Sequence, residues 1–292
     1  MIPREIFRQI RRIQITTSRM VTDVFAGQYQ SVFKGKGMEF CEVREYQPGD
    51  EIRSIDWNVT ARMGHPFVKK FIEERELTVM LLLDMSKSSY FGTVNKLKSQ
   101  LAAEICSVLA LSANKNNDKI GLIAFTDRVE KFVPPRKGMR HVLRVIREAL
   151  YFKPRGTGTD IPGAIEYLNR ITRRKTVTFI ISDFYAPDFK KPLSISNRRH
   201  DIITITITDP KEIALPDIGI VKFDDAESGK SYYVDTSDKE TRIRYRENAA
   251  RKFEDRTKLF RSINVDNINI RTDTPYAEEL YKFFRIRERR LR

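Results

Sequence analysis

Thr78-Val79-Met80-Leu81-Leu82-Leu83-Asp84-Met85-Ser86-Lys87-Ser88 passes from an unbroken apolar run to a carboxylate and two hydroxyls at alternate positions. The run from Thr78 to Leu83 has the length and aliphatic character of a strand. Beyond it, residues i, i+2 and i+4 of an extended segment face the same way, so Asp84, Ser86 and Ser88 can converge on one point just past the strand end. An oxygen-rich pocket of that kind suits a hard divalent cation. The same side chains also serve a plain turn or a helix N-cap, so the motif alone leaves both readings open.

Outward from this stretch, short apolar runs alternate with amphipathic segments, the pattern of strands joined by crossover helices into a mainly parallel sheet. Leu97, Leu101, Ile105, Val108 and Leu109 recur at helical spacing and predict a helix over roughly Val94 to Ala113. Ile120–Phe125 and Val129–Val133 flank Thr126-Asp127-Arg128 as an antiparallel pair. A helix is expected from about Met139 to Tyr151, and Gly156-Thr157-Gly158-Thr159-Asp160 opens another with Ala164, Ile165 and Leu168 inward. Val177–Ile181 and Ile202–Ile207 read as central strands covered on both faces, the first ending at Ser182-Asp183 and the second at Thr208-Asp209-Pro210. A hairpin insertion near residues 216–235, a charged helix from about Lys239 to Ser262, a strand near Ile268–Ile270 and a last helix from about Pro275 complete the expectation. Residues 76–292 thus form one α/β domain. Residues 1–75 form a separate appendage, with a basic amphipathic helix carrying Ile6, Ile10 and Ile13, then a dense polar stretch through Arg62 and β segments.

Composition bounds the function. The chain has 292 residues, 40% of them hydrophobic, enough for a substantial core. The longest aliphatic stretch, Val79 to Leu83, falls far short of the ~20 apolar residues that span a bilayer. Met1-Ile2-Pro3-Arg4-Glu5 lacks the apolar centre of a signal peptide, so a cytoplasmic protein is expected. Cys41 and Cys106 fit no metal-type spacing, and Cys106 sits among Ile105, Val108 and Leu109 as a small core residue. Fifty-four Lys and Arg against 39 acidic residues give a formal net charge of +15, which makes an acidic partner plausible. Basic clusters at Arg136–Arg147, Arg170–Lys175 and Arg285–Arg292 could meet nucleic acid, an anionic membrane or an acidic protein face, but aromatic residues are poorly interleaved among them. Phe283 and Phe284, spaced with Leu280, read as core anchors rather than stacking platforms. Enzyme motifs are missing: there is no phosphate-binding Gly-rich loop ending in Lys-Ser/Thr, no His-Glu-x-x-His and no Gly-x-Ser-x-Gly.

Three separated segments carry compatible ligands: Asp84, Ser86 and Ser88 after one strand, Thr159 at a helix entrance, and Asp183 after another strand. In open parallel sheets the loops beyond the carboxyl ends of the strands meet at one edge, so topology would bring these three together. Asp84-x-Ser86-x-Ser88, Gly158-Thr159 and Ser182-Asp183 resemble the metal-ion-dependent adhesion site of von Willebrand factor type A domains. Where that family more often shows Thr-Asp-Gly, this chain has Ser182-Asp183-Phe184, and Thr157 competes with Thr159 for the threonine role. Upstream, Gly35-x-Gly37-x-Glu39-Phe40, Glu42-x-Arg44-x-Tyr46, Gly49-Asp50 and Arg53-x-Ile55-Asp56-Trp57-x-x-Thr60-Ala61-Arg62 resemble the signature of the bacterial family called domain of unknown function 58.

The resemblance implies a Rossmann-like type A fold, Mg or Mn held by Asp84, Ser86, Ser88, Thr159 and Asp183, and a functional link with MoxR-type AAA+ ATPases in assembling or maturing other proteins. The expected function is a non-enzymatic, metal-dependent interaction module in which a client offers an Asp or Glu to the metal. The alternatives are a Mg-dependent hydrolase or phosphoryl-transfer enzyme with Asp160 as base, and a nucleic-acid binder acting through the basic clusters. In the signature segment, Glu39, Glu42, Glu45, Asp50, Glu51 and Asp56 interleave with Arg44, Arg53 and Arg62 around Tyr46 and Trp57, which predicts an ion-pair network on an aromatic platform. Such a segment either locks the appendage in place or forms a docking surface or small-molecule pocket.

Overall fold

The computed structural model describes residues 38–73, 76–94, 96–224 and 230–291. The basic helix expected near the N-terminus and most of the turn of the expected hairpin lie outside the described residues. Two compact units are separated at Leu77 and Thr78.

In the smaller unit, β1 (Met38–Glu45) pairs antiparallel with β2 (Phe67–Glu73), and α1 (Trp57–Met63) lies between them in sequence. Asp56 caps α1 by accepting from the backbone N–H groups of Asn58 and Val59 at 3.0 and 3.3 Å, and Gly64, at φ +79°, ends it in the left-handed conformation. The Glu39 and Glu42 side chains of the expected ion-pair network lie outside what the structure describes, and among the described residues the network is present in part. Arg44 grips Asp50 with two bonds of 2.7 and 2.8 Å, but Arg53 and Arg62 are exposed and pair with no carboxylate among the described residues. Trp57 is 67% exposed and opens a short helix, so it is no buried platform beneath those charges.

The larger unit is built on a six-stranded sheet in the order β10-β7-β6-β3-β4-β5. Its strands are β3 (Thr78–Asp84), β4 (Lys119–Phe125), β5 (Val129–Arg136), β6 (Val177–Ser182), β7 (Asp201–Thr208) and β10 (Asp266–Arg271). All neighbours are parallel except β5, which runs antiparallel on β4 at the edge, where Pro134 and Pro135 cost no interior ladder bond. Helices α2 (Lys98–Lys115), α3 (Met139–Tyr151), α4 (Ile161–Ile171), α5 (Lys190–Arg199), the short α6 (Pro210–Ile213), α7 (Lys239–Ser262) and α8 (Tyr276–Leu291) connect or flank the strands. A separate hairpin pairs β8 (Ile220–Asp224) with β9 (Ser231–Asp235).

The apolar runs settle into the interior as their periodicity requires. Val79 to Leu83 are all buried in the middle of the sheet, each side chain worth roughly 1.5–3 kcal/mol in burial. One core cluster joins Met80, Leu82 and Ile180 of the sheet to Ile161, Ile165 and Leu168 of α4, and extends to Phe184, Phe189 and Phe260. Phe284 is fully buried and Phe283 half-buried, as core anchors should be.

Two elements depart from expectation. Helix α2 begins at Lys98 rather than near Val94, because the Thr93 N–H and hydroxyl are both held by the buried Asp209 carboxylate and keep the preceding loop out of helical geometry. Helix α5 was not expected. Its lysine-rich, proline-containing sequence buries only Leu193 and Ser196, too narrow a stripe to register as helical periodicity.

Candidate metal centre at the sheet edge

The C-terminal ends of β3 and β6 lie side by side, so Asp84 and Ser182-Asp183 emerge at the same edge of the sheet. Asp84 is buried, with 2% exposure. Its Oδ1 accepts from the Ser86 N–H at 2.9 Å and its Oδ2 from the Ser182 hydroxyl at 2.6 Å. The Ser86 and Ser88 hydroxyl oxygens stand 2.9 Å apart. The glycine-rich turn is brought to the same place: the Lys87 N–H donates to the Thr157 carbonyl at 3.0 Å, which seats the half-buried Thr159 loop against Ser86–Ser88. Beneath it, Glu130 Oε1 accepts from the Gly156 and Arg155 N–H groups at 2.7 and 3.1 Å, clamping the turn to β5. Asp160, considered above as a base, is the N-cap of α4 and accepts from the Gly163 N–H at 2.9 Å.

Asp183 faces a different partner from the one its motif implies. The Lys98 ammonium donates to Asp183 Oδ2 at 2.8 Å and to Glu212 Oε1 at 2.7 Å, and the Lys98 side chain is only 3% exposed. The Tyr185 N–H reaches Asp183 Oδ1 at 3.3 Å, and Arg256 donates to the Asp183 carbonyl at 2.8 Å. Asp84, Ser89, Lys98, Ala102, Ser182 and Asp183 line a small cavity at this point. Phe184 follows with φ +56°, a left-handed backbone that costs a non-glycine residue roughly 1–2 kcal/mol. Edge-to-face rings hold it there, Phe260 at 5.2 Å and Phe189 at 5.6 Å between centroids. This explains why glycine suits the equivalent place in the motif and how an aromatic residue replaces it here.

The electrostatics show an unbalanced site. Burial, reinforced by the Asp183 charge, pushes the Asp84 carboxyl up to about 6 against the hydrogen bonds from Ser182 and Ser86. Burial alone would lower the Lys98 ammonium, but the Asp183 and Glu212 charges outweigh it and hold that pKa above its ordinary value. Among the described residues no group of three His, Cys, Asp or Glu side chains is placed to hold a metal. A cation here therefore depends on the hydroxyls. They fit: adjacent ligands of an octahedron with bonds near ~2.1 Å lie about 3 Å apart, and the Ser86 and Ser88 hydroxyls, hydrogen-bonded to each other at 2.9 Å, already hold that separation.

Sequence reasoning missed Lys98, Glu212 and the Ser182 hydroxyl as parts of this site. Lys98 left one legible trace. It falls on the stripe of Leu101, Ile105 and Val108, a lysine on the apolar face of a helix and in its first turn, where the dipole disfavours a cation.

A mainly parallel sheet with an antiparallel edge strand, with Asp-x-Ser-x-Ser, a threonine loop and a second aspartate at its carboxyl edge, is an α/β fold like that of von Willebrand factor type A domains. The chain belongs to the family described as "Protein of unknown function DUF58", whose pattern matches residues 42–255. It is 32% identical over 285 residues to the uncharacterized protein Rv1480 of Mycobacterium tuberculosis, covering 96% of this chain and 89% of that one. It is also 32% identical over 107 residues to the uncharacterized protein YeaD of Bacillus subtilis, which involves 37% of this chain and 25% of that one. Among solved structures, an aerotolerance-related membrane protein of Bacteroides fragilis aligns over 73% of this chain and 99% of its own at 16% identity, with a TM-score of 0.50, a likeness of fold. No helix among the described residues is long and apolar enough to cross a membrane.

Proposed function

We propose that this protein is a non-enzymatic interaction module that captures a partner through a divalent cation, magnesium or manganese, held by Asp84, Ser86, Ser88 and Thr159 with Asp183 close by. The observation that carries the reading is the pair of serine hydroxyls at octahedral spacing beside a buried carboxylate that a second carboxylate repels. Asp183 and Glu212 share the one ammonium of Lys98, a deficit of one positive charge within that pairing. When bound, a dication turns that deficit into an excess and offers an open position to a carboxylate oxygen of the partner. Around this point Tyr90, Phe91 and Tyr185 are exposed, and the Lys252 ammonium stands 5.7 Å from the Tyr185 ring centre, a rim suited to an acidic segment with apolar flanks.

The partnership with a MoxR-type AAA+ ATPase and the role in assembly or maturation of other proteins belong to this reading on the strength of the family resemblance. The phosphoryl-transfer alternative finds no support in Asp160, whose carboxylate is engaged as a helix cap.

The test is calorimetric titration of magnesium, then manganese, into metal-free protein and its Asp84→Ala variant, each repeated with a cognate MoxR-type ATPase. The expected result is binding in the native protein and none in the folded variant. Equal affinity in the two would overturn the reading.

A further inference from the structure

Lys98 is the only lysine buried in the core among the described residues, and nothing about helix formation asks for it. It occupies the first turn of α2, where the helix dipole opposes a cation, and it is dehydrated, which opposes any ammonium. Its two carboxylate partners differ in how they are held. Asp183 directly follows Ser182, the last residue of the central strand β6. Glu212 sits on α6, a four-residue helix outside the sheet, pinned by a reciprocal cap in which Glu212 Oε2 accepts from the Asp209 N–H at 2.8 Å and Asp209 Oδ1 from the Lys211 N–H at 2.9 Å. The Phe91 and Tyr185 ring centres lie 6.0 Å from the ammonium and shield it. One ammonium is thus shared between a carboxylate that the motif assigns to the cation and a neighbouring carboxylate that is no candidate ligand.

We propose that Lys98 is a resident counter-ion that competes with the divalent cation for Asp183, with Glu212 as the place where its charge is kept when Asp183 is drawn toward the metal. The inference rests on the metal reading above and deepens it. Lys98 keeps the second carboxylate neutralised while no cation is bound, and it remains positively charged throughout. Because both acceptors already lie within 2.8 Å of the same nitrogen, the ammonium passes from shared to Glu212-only pairing without being rehydrated. Such a competitor weakens the hold on the bare cation, so that firm retention depends on the extra carboxylate of a partner.

Competition gives opposite signs in two variants, which simple damage to the site does not. In Lys98→Met the competitor is gone and Asp183 is released from it, so magnesium and manganese bind at least about tenfold more tightly, while the metal-free protein melts at a lower temperature because the buried Asp183 and the half-buried Glu212 lose their partner. In Glu212→Gln the ammonium rests wholly on Asp183, and cation affinity falls about three- to tenfold. Lys98→Arg keeps the charge and stays near the native affinity. The experiment is calorimetric titration of both metals into the native chain and the three variants, with thermal melts on the same samples. If Lys98→Met folds and binds no tighter than the native chain, or if both Lys98→Met and Glu212→Gln bind more weakly, Lys98 is structural and the proposal is overturned. Should Lys98→Met fail to fold, weaker binding in Glu212→Gln with native affinity in Lys98→Arg supports it, and unchanged binding in Glu212→Gln overturns it. Binding in Lys98→Met but not in the native chain would support the competitor while ending the metal reading of the native protein. Binding in none of them ends both.

Discussion

At the scale of single residues the two ends of the sheet respond oppositely to acid. Asp84, at the carboxyl edge, has its pKa raised to about 6 by burial and the Asp183 charge. A raised carboxylate pKa means the folded state prefers the proton, so the metal-free protein gains stability from this group as pH falls from about 6 toward its ordinary value near 4. Asp84→Asn should therefore raise the melting temperature of metal-free protein at pH 7, by about 1–3 kcal/mol in stability, and abolish the further rise on adding magnesium. A lower melting temperature in Asp84→Asn would contradict the account of that shift. His200, at the opposite edge, is buried with its Nδ1 3.0 Å from the Thr176 hydroxyl and 3.3 Å from the Thr176 N–H. Burial first, then the Arg199 charge, pushes it down to about 4. Its neutral form is the folded one, so its contribution is complete above pH ~6.5 and lost as pH falls toward 4, on the order of 3 kcal/mol. Denaturant melts at pH 7 and 4.5 of Asp84→Asn, with and without His200→Gln, isolate that loss as the difference between the two proteins, since the downward-shifted His141 is common to both.

At the scale of elements, loops position the hydroxyls and buried carboxylates position the loops. Gly156 lies so close to Thr126 and Asp127 that an added Cβ would stand 2.1 Å from Asp127 Oδ1 and 2.2 Å from Thr126 Oγ1. Gly156→Ala must displace the turn that carries Thr159, and we expect about 1–3 kcal/mol of destabilisation with weaker cation binding by calorimetry. Asp209 plays the same part across the sheet edge. Fully buried, it accepts from the Thr93 N–H and hydroxyl, the Lys211 N–H and the Thr272 hydroxyl, tying the approach to α2 to the ends of β7 and β10. Asp209→Ala strands those donors and should cost about 2–4 kcal/mol. Hydrogen exchange should then accelerate at residues 91–98, and protection equal to that of the native chain would show that the tether is dispensable. These elements differ in how much of their course local sequence determines, for a plain reason. Helix α3 over Met139–Tyr151 keeps a strong amphipathic stripe, and helix α7 over Lys239–Ser262 is a long charged run opened by the Asp238 N-cap; both come out with the expected bounds. The start of α2 depends on a tether 116 residues away, and α5 has almost no apolar stripe to read.

At the scale of the whole molecule, parallel connectivity explains why residues from three distant segments share one edge. Every parallel strand of the larger unit points the same way, so the segments after β3 and β6 converge without any local instruction to do so. If the edge works as proposed, capture of an acidic partner should vanish on chelation and return with magnesium, and the Asp84→Ala protein should show no such response in pull-down at equal concentration. The run of Thr78 to Leu83, the alternate oxygens of Asp84, Ser86 and Ser88, the glycine turn before α4 and the family signature were all legible in the chain, because each is a local pattern whose physics needs only near neighbours. Lys98 on Asp183 and Glu212, 85 and 114 residues away, Ser182 on Asp84 and the rings that hold Phe184 in a left-handed backbone were decided by tertiary structure alone, because a buried charge or a strained residue is stabilised by whatever the fold places beside it, and sequence spacing carries no record of that.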